Sequence, residues 1–322
     1  MFSALLDKIY NYLHDNLDSK NKLLVIKVIN IFLFPLILIL RLSSFLFNNP
    51  ISRYIYFESL KKKLLILNTD KEKYILNSDD KVLSKFLYIN GTYDFSKFET
   101  AIKICYPDST SNPIDLLVNI GANIGSICIP AVNRNYANKS IAVEPDPQNY
   151  RNLVSNIYIN NLQDKILHYC NAISNVNEKE LELELSEYNF ADHRISVSNT
   201  EGVFSESKIR KIKVVTKTLD SFVNFFDKKK NLIYMDVQGY EGIVLQGGSK
   251  IIEKKIPIVL EVWPYGLTRA NSFQILINII KKYSYFYVLS EKNPKKRPST
   301  EIEKIINNLG ANSTKYIDIL IM

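Results

Sequence analysis

From Ile114 onward the chain is written as short, unbroken apolar runs separated by stretches of helix length. Strands covered by helices on both faces need apolar side chains at nearly every position, so this rhythm predicts a parallel sheet wrapped by helices. Seven runs fit strands: Ile114–Val118, Ser140–Val143, Ile166–Tyr169, Leu232–Met235, Ile258–Val262, Tyr285–Leu289 and Ile317–Ile321. Such a set suits a doubly wound α/β sheet, whose ligands bind beyond the carboxyl ends of the strands. Between residues 173 and 227 the rhythm breaks into LELEL at 181–185, RISVS at 194–198 and IKVV at 212–215, read as an insertion near that ligand-binding edge.

Upstream, residues 51–112 alternate short apolar runs with polar turns, a small strand-and-helix lead-in. The turn-rich stretch Pro107–Pro113 marks the expected boundary of a domain spanning 113–322. Residues 1–50 are read as an N-terminal helical extension whose segment 23–47 is the most apolar part of the chain. Its uncharged core, Val28–Leu40, falls short of the roughly 20 apolar residues a spanning helix needs, and Lys27, Pro35 and Arg41 intrude. A full span is compatible with that pattern only if both charges snorkel toward headgroups; an interfacial or re-entrant anchor and a helix packed on the domain are the other readings.

Glycine makes up only about 3% of the chain, against roughly 7% in average usage. Six of the ten glycines crowd into two segments: Gly121 and Gly125, then Gly239, Gly242, Gly247 and Gly248. The first segment, DLLVNIGANIG at 115–125, reads as a strand ending in a glycine turn that opens a helix over 126–136. A side chain at Gly121 would block a ligand crossing the strand end, and Gly125 would let the helix pack on the sheet. Glu144 closes the next strand 23 positions after Gly121, where a carboxylate can accept both hydroxyls of a ribose. Asn123 replaces the middle glycine of the dinucleotide loop, which favours a nucleoside without pyrophosphate. In the second segment Asp236 ends a strand, Gly239 permits a tight turn, and Glu241 opens the following helix.

Composition removes other classes. Cys105, Cys128 and Cys170 are too scattered for a disulfide framework or a zinc site, and three histidines argue against a histidine-rich metal centre. The net charge of +8 is shared between residues 1–110 and 111–322, so no concentrated basic face marks a nucleic-acid binder.

Together, VNIGANIG (118–125), AVEPDPQNYRNLVSNIYIN (142–160), ADHRI (191–195), VVTKTLDSF (214–222), YMDVQGYEGIVLQGG (234–248) and IVLEV (258–262) resemble the FkbM-type family of S-adenosylmethionine-dependent methyltransferases. The resemblance implies a class I methyltransferase fold with seven strands, the last antiparallel, and O-methylation of a hydroxyl on a sugar, glycan or related metabolite. It implies that Gly121, Asn123 and Gly125 form the cofactor loop, with Asn119 beside it, that Glu144 holds the ribose, and that Asn171 and Ala172 border the adenine. Asp236 is the first candidate for a base and His193 the second, with Asp192 to orient its ring. Gln238, Glu241 and Glu261 are expected to line the acceptor site, and Trp263 to offer a wall for a sugar face. Many relatives carry aspartate where this chain has Asn119, so a non-catalytic descendant that keeps a binding pocket is the competing reading. A nucleic-acid substrate is not expected, and the cofactor requires a cytosolic catalytic domain, held at a membrane if 23–47 is an anchor.

Overall fold

The computed structural model describes residues 50–108, 112–197, 210–227, 230–310 and 313–322; the apolar segment 23–47 lies outside them. No helix among the described residues is long and apolar enough to cross a membrane. The chain divides into two compact units, 1–61 and 62–322. Of the first, residues 50–61 are described, and they begin with helix α1 (Pro50–Glu58).

The second unit is built on an eight-stranded sheet, ordered β5 (Ile166–Tyr169), β4 (Ala137–Val143), β3 (Ile114–Ile120), β10 (Asn231–Met235), β11 (Ile258–Val262), β14 (Ile317–Ile321), β12 (Tyr285–Val288), β13 (Arg297–Pro298). The first five are mutually parallel, and β14 runs antiparallel to both β11 and β12. All seven expected runs are strands, the last in sequence is the reversed one, and the two-residue β13 adds an eighth at the edge.

Successive residues of one strand enter different cores: Ile233 and Met235 pack on one face, Leu232 and Tyr234 on the other. Both faces are therefore dry, which is why β10 and β11 read as mainly apolar runs, with Asn231 and Glu261 the exceptions. Part of the cover comes from the lead-in, a hairpin of β1 (Leu64–Asn68) and β2 (Lys73–Asn77) with helices α2 (Leu83–Asn90) and α3 (Phe95–Cys105). Leu76, Leu87, Phe98 and Ile102 share a core with Leu117 and Ala142 of the sheet, so the turn at 107–113 separates sequence patterns within one packed unit.

The helix expected over 126–136 is shorter, α4 (Cys128–Asn133). Pro130 has no N–H to bond back to Ser126, and Asn135 takes a left-handed φ of 59°, which ends the helix before β4. Helix α5 (Pro147–Ile159) starts cleanly because the Asp146 carboxylate accepts the Asn149 N–H at 2.8 Å and Pro147 sits in the first turn.

The insertion forms a separate sheet, ordered β6 (Ala172–Ser174), β9 (Arg210–Thr218), β7 (Glu180–Leu185), β8 (Arg194–Ile195). From β3 the main sheet grows outward through β4 and β5, then resumes on the other side with β10. That reversal opens a crevice at the carboxyl ends of β3 and β10.

Candidate functional site

The crevice is a cavity of about 880 Å³, open mouth included. Asn119 and Gly121 reach it from the end of β3, Asn123 from the loop, Glu144 from the end of β4, Asn171 and Ala172 from the entry to β6, His193 from the insertion and Asp236 from the end of β10. The strand exits crowd each other. A Cβ on Gly121 would lie 1.9 Å from the Asp236 carbonyl oxygen, and φ there is +74°. Close approach does require this glycine, but the approaching group is the neighbouring backbone rather than a ligand.

Glu144 is 4% exposed and accepts N–H bonds from Asn123 at 2.8 Å and Asp146 at 3.0 Å, one on each oxygen. Burial pushes its carboxyl up to about 8, while those donors pull the other way. Asn119 is buried and donates to the Tyr234 carbonyl at 3.4 Å, but its Oδ1 has no hydrogen-bond partner. The Oδ1 of Asn123 is similarly unpaired, its Nδ2 being spent on the Phe190 carbonyl.

Burial also raises the Asp236 carboxyl to about 7, against the hydrogen bond from Gln238 Nε2 at 2.6 Å. The same amide nitrogen reaches Glu261 Oε1 at 3.4 Å. Gln238 faces a small side pocket that adjoins the cavity.

Five expectations need correction. Gly125 is absent from the cavity wall; a Cβ there would strike Ile129 and Leu153, so its part is packing. Glu241 is fully buried and braces the turn, its Oε1 accepting the Val237 N–H at 3.1 Å, and it is absent from the walls of the cavity and of the side pocket. Glu261 is 9% exposed and reaches the site only through Gln238, while Trp263 donates to the Ser313 carbonyl and is covered by Arg194 and Tyr265, offering no open face. His193 is not oriented by Asp192: its Nδ1 accepts the Ser186 N–H at 3.0 Å, and its Nε2 lies 3.9 Å from Asp146. Burial lowers its pKa, so the ring is neutral with its proton on Nε2, a donor rather than a base.

Three lining residues carried no pattern in the sequence. Tyr93 and Asp94 come from the turn before α3, and Phe190 comes from the insertion. A turn acid following an aromatic is ordinary, and only the packing of the lead-in against the sheet brings this one to the crevice.

A sheet of this order, with a glycine exit after the first strand and an acid closing the second, is that of the class I S-adenosylmethionine-dependent methyltransferases. The methyltransferase FkbM domain is matched over residues 119–287, more than half of the chain, so the chain belongs to the FkbM methyltransferase family, whose cofactor is S-adenosylmethionine. Among solved structures it is similar to the methyltransferase FkbM from Methylobacillus flagellatus KT, at 14% identity over 72% of this chain and 56% of that one, with a TM-score of 0.38. It is similar also to TYW2 from Pyrococcus horikoshii in complex with MeSAdo, at 15% identity over 81% of this chain and 72% of that one, with a TM-score of 0.32. For TYW2 from M. jannaschii in complex with AdoMet the values are 11%, 81%, 86% and 0.35. The chain thus spans just over half the length of the M. flagellatus protein. No curated protein matches it by sequence.

Proposed function

We propose that the protein is an O-methyltransferase that uses S-adenosylmethionine to methylate a hydroxyl of a sugar, glycan or related metabolite. The residues present fit the cofactor. The unpaired Asn119 Oδ1 is an acceptor suited to an ammonium group, and Glu144 keeps lone pairs for ribose hydroxyls after taking its two backbone donors. Asn171 and Ala172 would border the adenine.

When bound, S-adenosylmethionine supplies an electrophilic methyl group on a positively charged sulfur. Asp236 then takes the acceptor's hydroxyl proton. The observation that carries this reading is the 2.6 Å bond from Gln238 Nε2 to Asp236 Oδ1, which fixes one oxygen at the cavity wall and leaves the other for the acceptor. A carboxyl raised to about 7 loses its proton near neutrality, where a base is most effective. Gln238 and, behind it, Glu261 position Asp236. His193 serves as a hydrogen-bond donor on the opposite wall.

A second reading rests on Asn119. An amide where many relatives hold a carboxylate lacks a charge to pair with an ammonium, and a pocket that binds without transferring would result. Calorimetry with S-adenosylmethionine and S-adenosylhomocysteine, followed by transfer of labelled methyl groups to fractionated glycans and lipids, separates the cases. Binding with transfer supports the enzyme, binding without transfer supports the second reading, and no binding at millimolar ligand rejects both. Segment 23–47 is proposed as a membrane-surface anchor; an unchanged cell fractionation after deletion of residues 1–50 would reject it.

A further inference from the structure

Residues 186–193 of the insertion, between β7 and β8, are tied to the crevice from three directions. From the lead-in, the Lys81 N–H donates to the Tyr188 carbonyl at 2.8 Å, and the buried Asp80 Oδ1 accepts the Phe190 N–H at 3.4 Å. From the glycine loop, Asn123 Nδ2 donates to the Phe190 carbonyl at 2.8 Å. From α5, Asn149 Nδ2 donates to that same carbonyl at 2.9 Å.

Two of these lines converge on Glu144. Asn123 gives its own N–H to Glu144 Oε2 at 2.8 Å. On the other side the His193 ring lies 5.6 Å from that of Phe190, and its Nε2 stands 3.9 Å from Asp146, whose N–H donates to Glu144 Oε1 at 3.0 Å. Phe190 and His193 therefore straddle the turn that carries the proposed ribose acid, and both line the cavity.

The tie explains the backbone at position 190 but not its side chain, since any residue could supply the carbonyl. A carbonyl only accepts, so both amides must turn Nδ2 toward it and keep Oδ1 as an acceptor. Both Oδ1 atoms are buried without a hydrogen-bond partner among the described residues, and Asn123 is the one of the two that lines the cavity. A buried acceptor left open in a cavity wall calls for a donor from a ligand, and ribose brings two hydroxyls. Beside it the half-buried Phe190 ring offers apolar surface that a bound nucleoside would cover.

We infer that Phe190 is a cofactor-binding residue supplied by the insertion, its ring covering the ribose end of S-adenosylmethionine beside Glu144. The inference rests on the methyltransferase reading, and it makes the insertion part of the cofactor site.

The test titrates S-adenosylhomocysteine into the full chain by calorimetry. Phe190→Ala should bind at least about tenfold more weakly than wild type, and Phe190→Trp within about threefold of it. The natural chain has one tryptophan, Trp263, so the added indole is read by difference from wild type. Its emission should change saturably over the concentrations that calorimetry reports, a response that a residue serving only to pack the loop would not give. Phe190→Ala binding within about threefold of wild type, or a folded Phe190→Trp whose emission ignores the ligand, would overturn the inference. Should the variants fail to fold, hydrogen exchange in the wild-type chain decides. S-adenosylhomocysteine should slow the amides of 186–193 at least about fivefold more than those of 302–307, which line no part of the cavity, and equal slowing would overturn the inference. A wild-type chain that binds no S-adenosylhomocysteine at millimolar concentration would reject the methyltransferase reading itself, and this inference with it.

Discussion

Asp236 and Gly121 meet at the narrowest point of the crevice, and each makes a prediction that the other does not. Gly121→Ala puts a methyl group 1.9 Å from the Asp236 carbonyl oxygen at a φ of +74°, so the two strand exits must part. Urea denaturation should show a loss of more than about 3 kcal/mol, and a variant of wild-type stability would mean that the exits tolerate separation. Asp236→Asn keeps the shape and removes the base. Its kcat should fall by about 10²–10⁴, with S-adenosylhomocysteine affinity changed by less than about threefold. A base works only when deprotonated, so wild-type kcat/KM should rise with pH through about 7 and then level off, and the asparagine variant should lose that rise. The place of Asp236 at the crevice is legible in the sequence because it ends a buried apolar run at the carboxyl edge of the sheet. Glu241 looks equivalent five residues later, yet its Oε1 is taken by the turn it braces and the residue lies outside the cavity wall. Sequence spacing cannot tell an acid that faces a cavity from one that faces its own backbone.

At the scale of elements, legibility follows burial. The strands of the main sheet are dominated by apolar residues because both faces are covered, whereas the bounds of α4 depend on Pro130 and on one left-handed asparagine. The lead-in was visible as strands and helices but not as cover for the sheet, since its attachments are polar and distant in sequence. The backbone of β2 is satisfied by α5: Asn156 Oδ1 accepts the Ile75 N–H at 2.6 Å, and Asn160 exchanges two bonds with Lys73. These contacts cap an edge strand that would otherwise expose its donors. Beside them Glu72, with its side chain fully buried, accepts from Arg134 Nε and Nη2 at 2.8 Å each, and the guanidinium lies 4.8 Å from the Phe95 ring centroid. Glu72→Ala strands a partly buried cation and should cost about 3 kcal/mol in chemical denaturation, with hydrogen exchange accelerated first in β1 and β2. A cost below about 1 kcal/mol would show that the asparagine contacts hold the hairpin alone.

Across the whole molecule, acids in and around the crevice hold protons that the unfolded chain would release. Burial raises Asp236 to about 7 and both Glu144 and Glu241 to about 8, and it raises Glu261 and Asp318 as well. Between the ordinary carboxyl range and those values the native state binds more protons than the unfolded one, so stability falls as pH rises. His168 and His193 act oppositely, because burial lowers both below 6.5 and the native state there binds fewer protons than the unfolded chain. Their opposition fades above 6.5 as the unfolded histidines lose their protons too. From there to about 8 the more numerous acids dominate among these groups. The Tm of the protein without cofactor should therefore drop by more than about 4 °C across that window, and Glu144→Gln, which cannot ionise, should flatten the slope. Surface charge works against this trend, since a chain of net charge +8 at pH 7 becomes less self-repulsive as pH increases. A Tm that stays level or climbs from 6.5 to 8 would show that the crevice is hydrated enough for its acids to ionise at ordinary values, and the case for Asp236 as a base tuned to neutrality would fall with it.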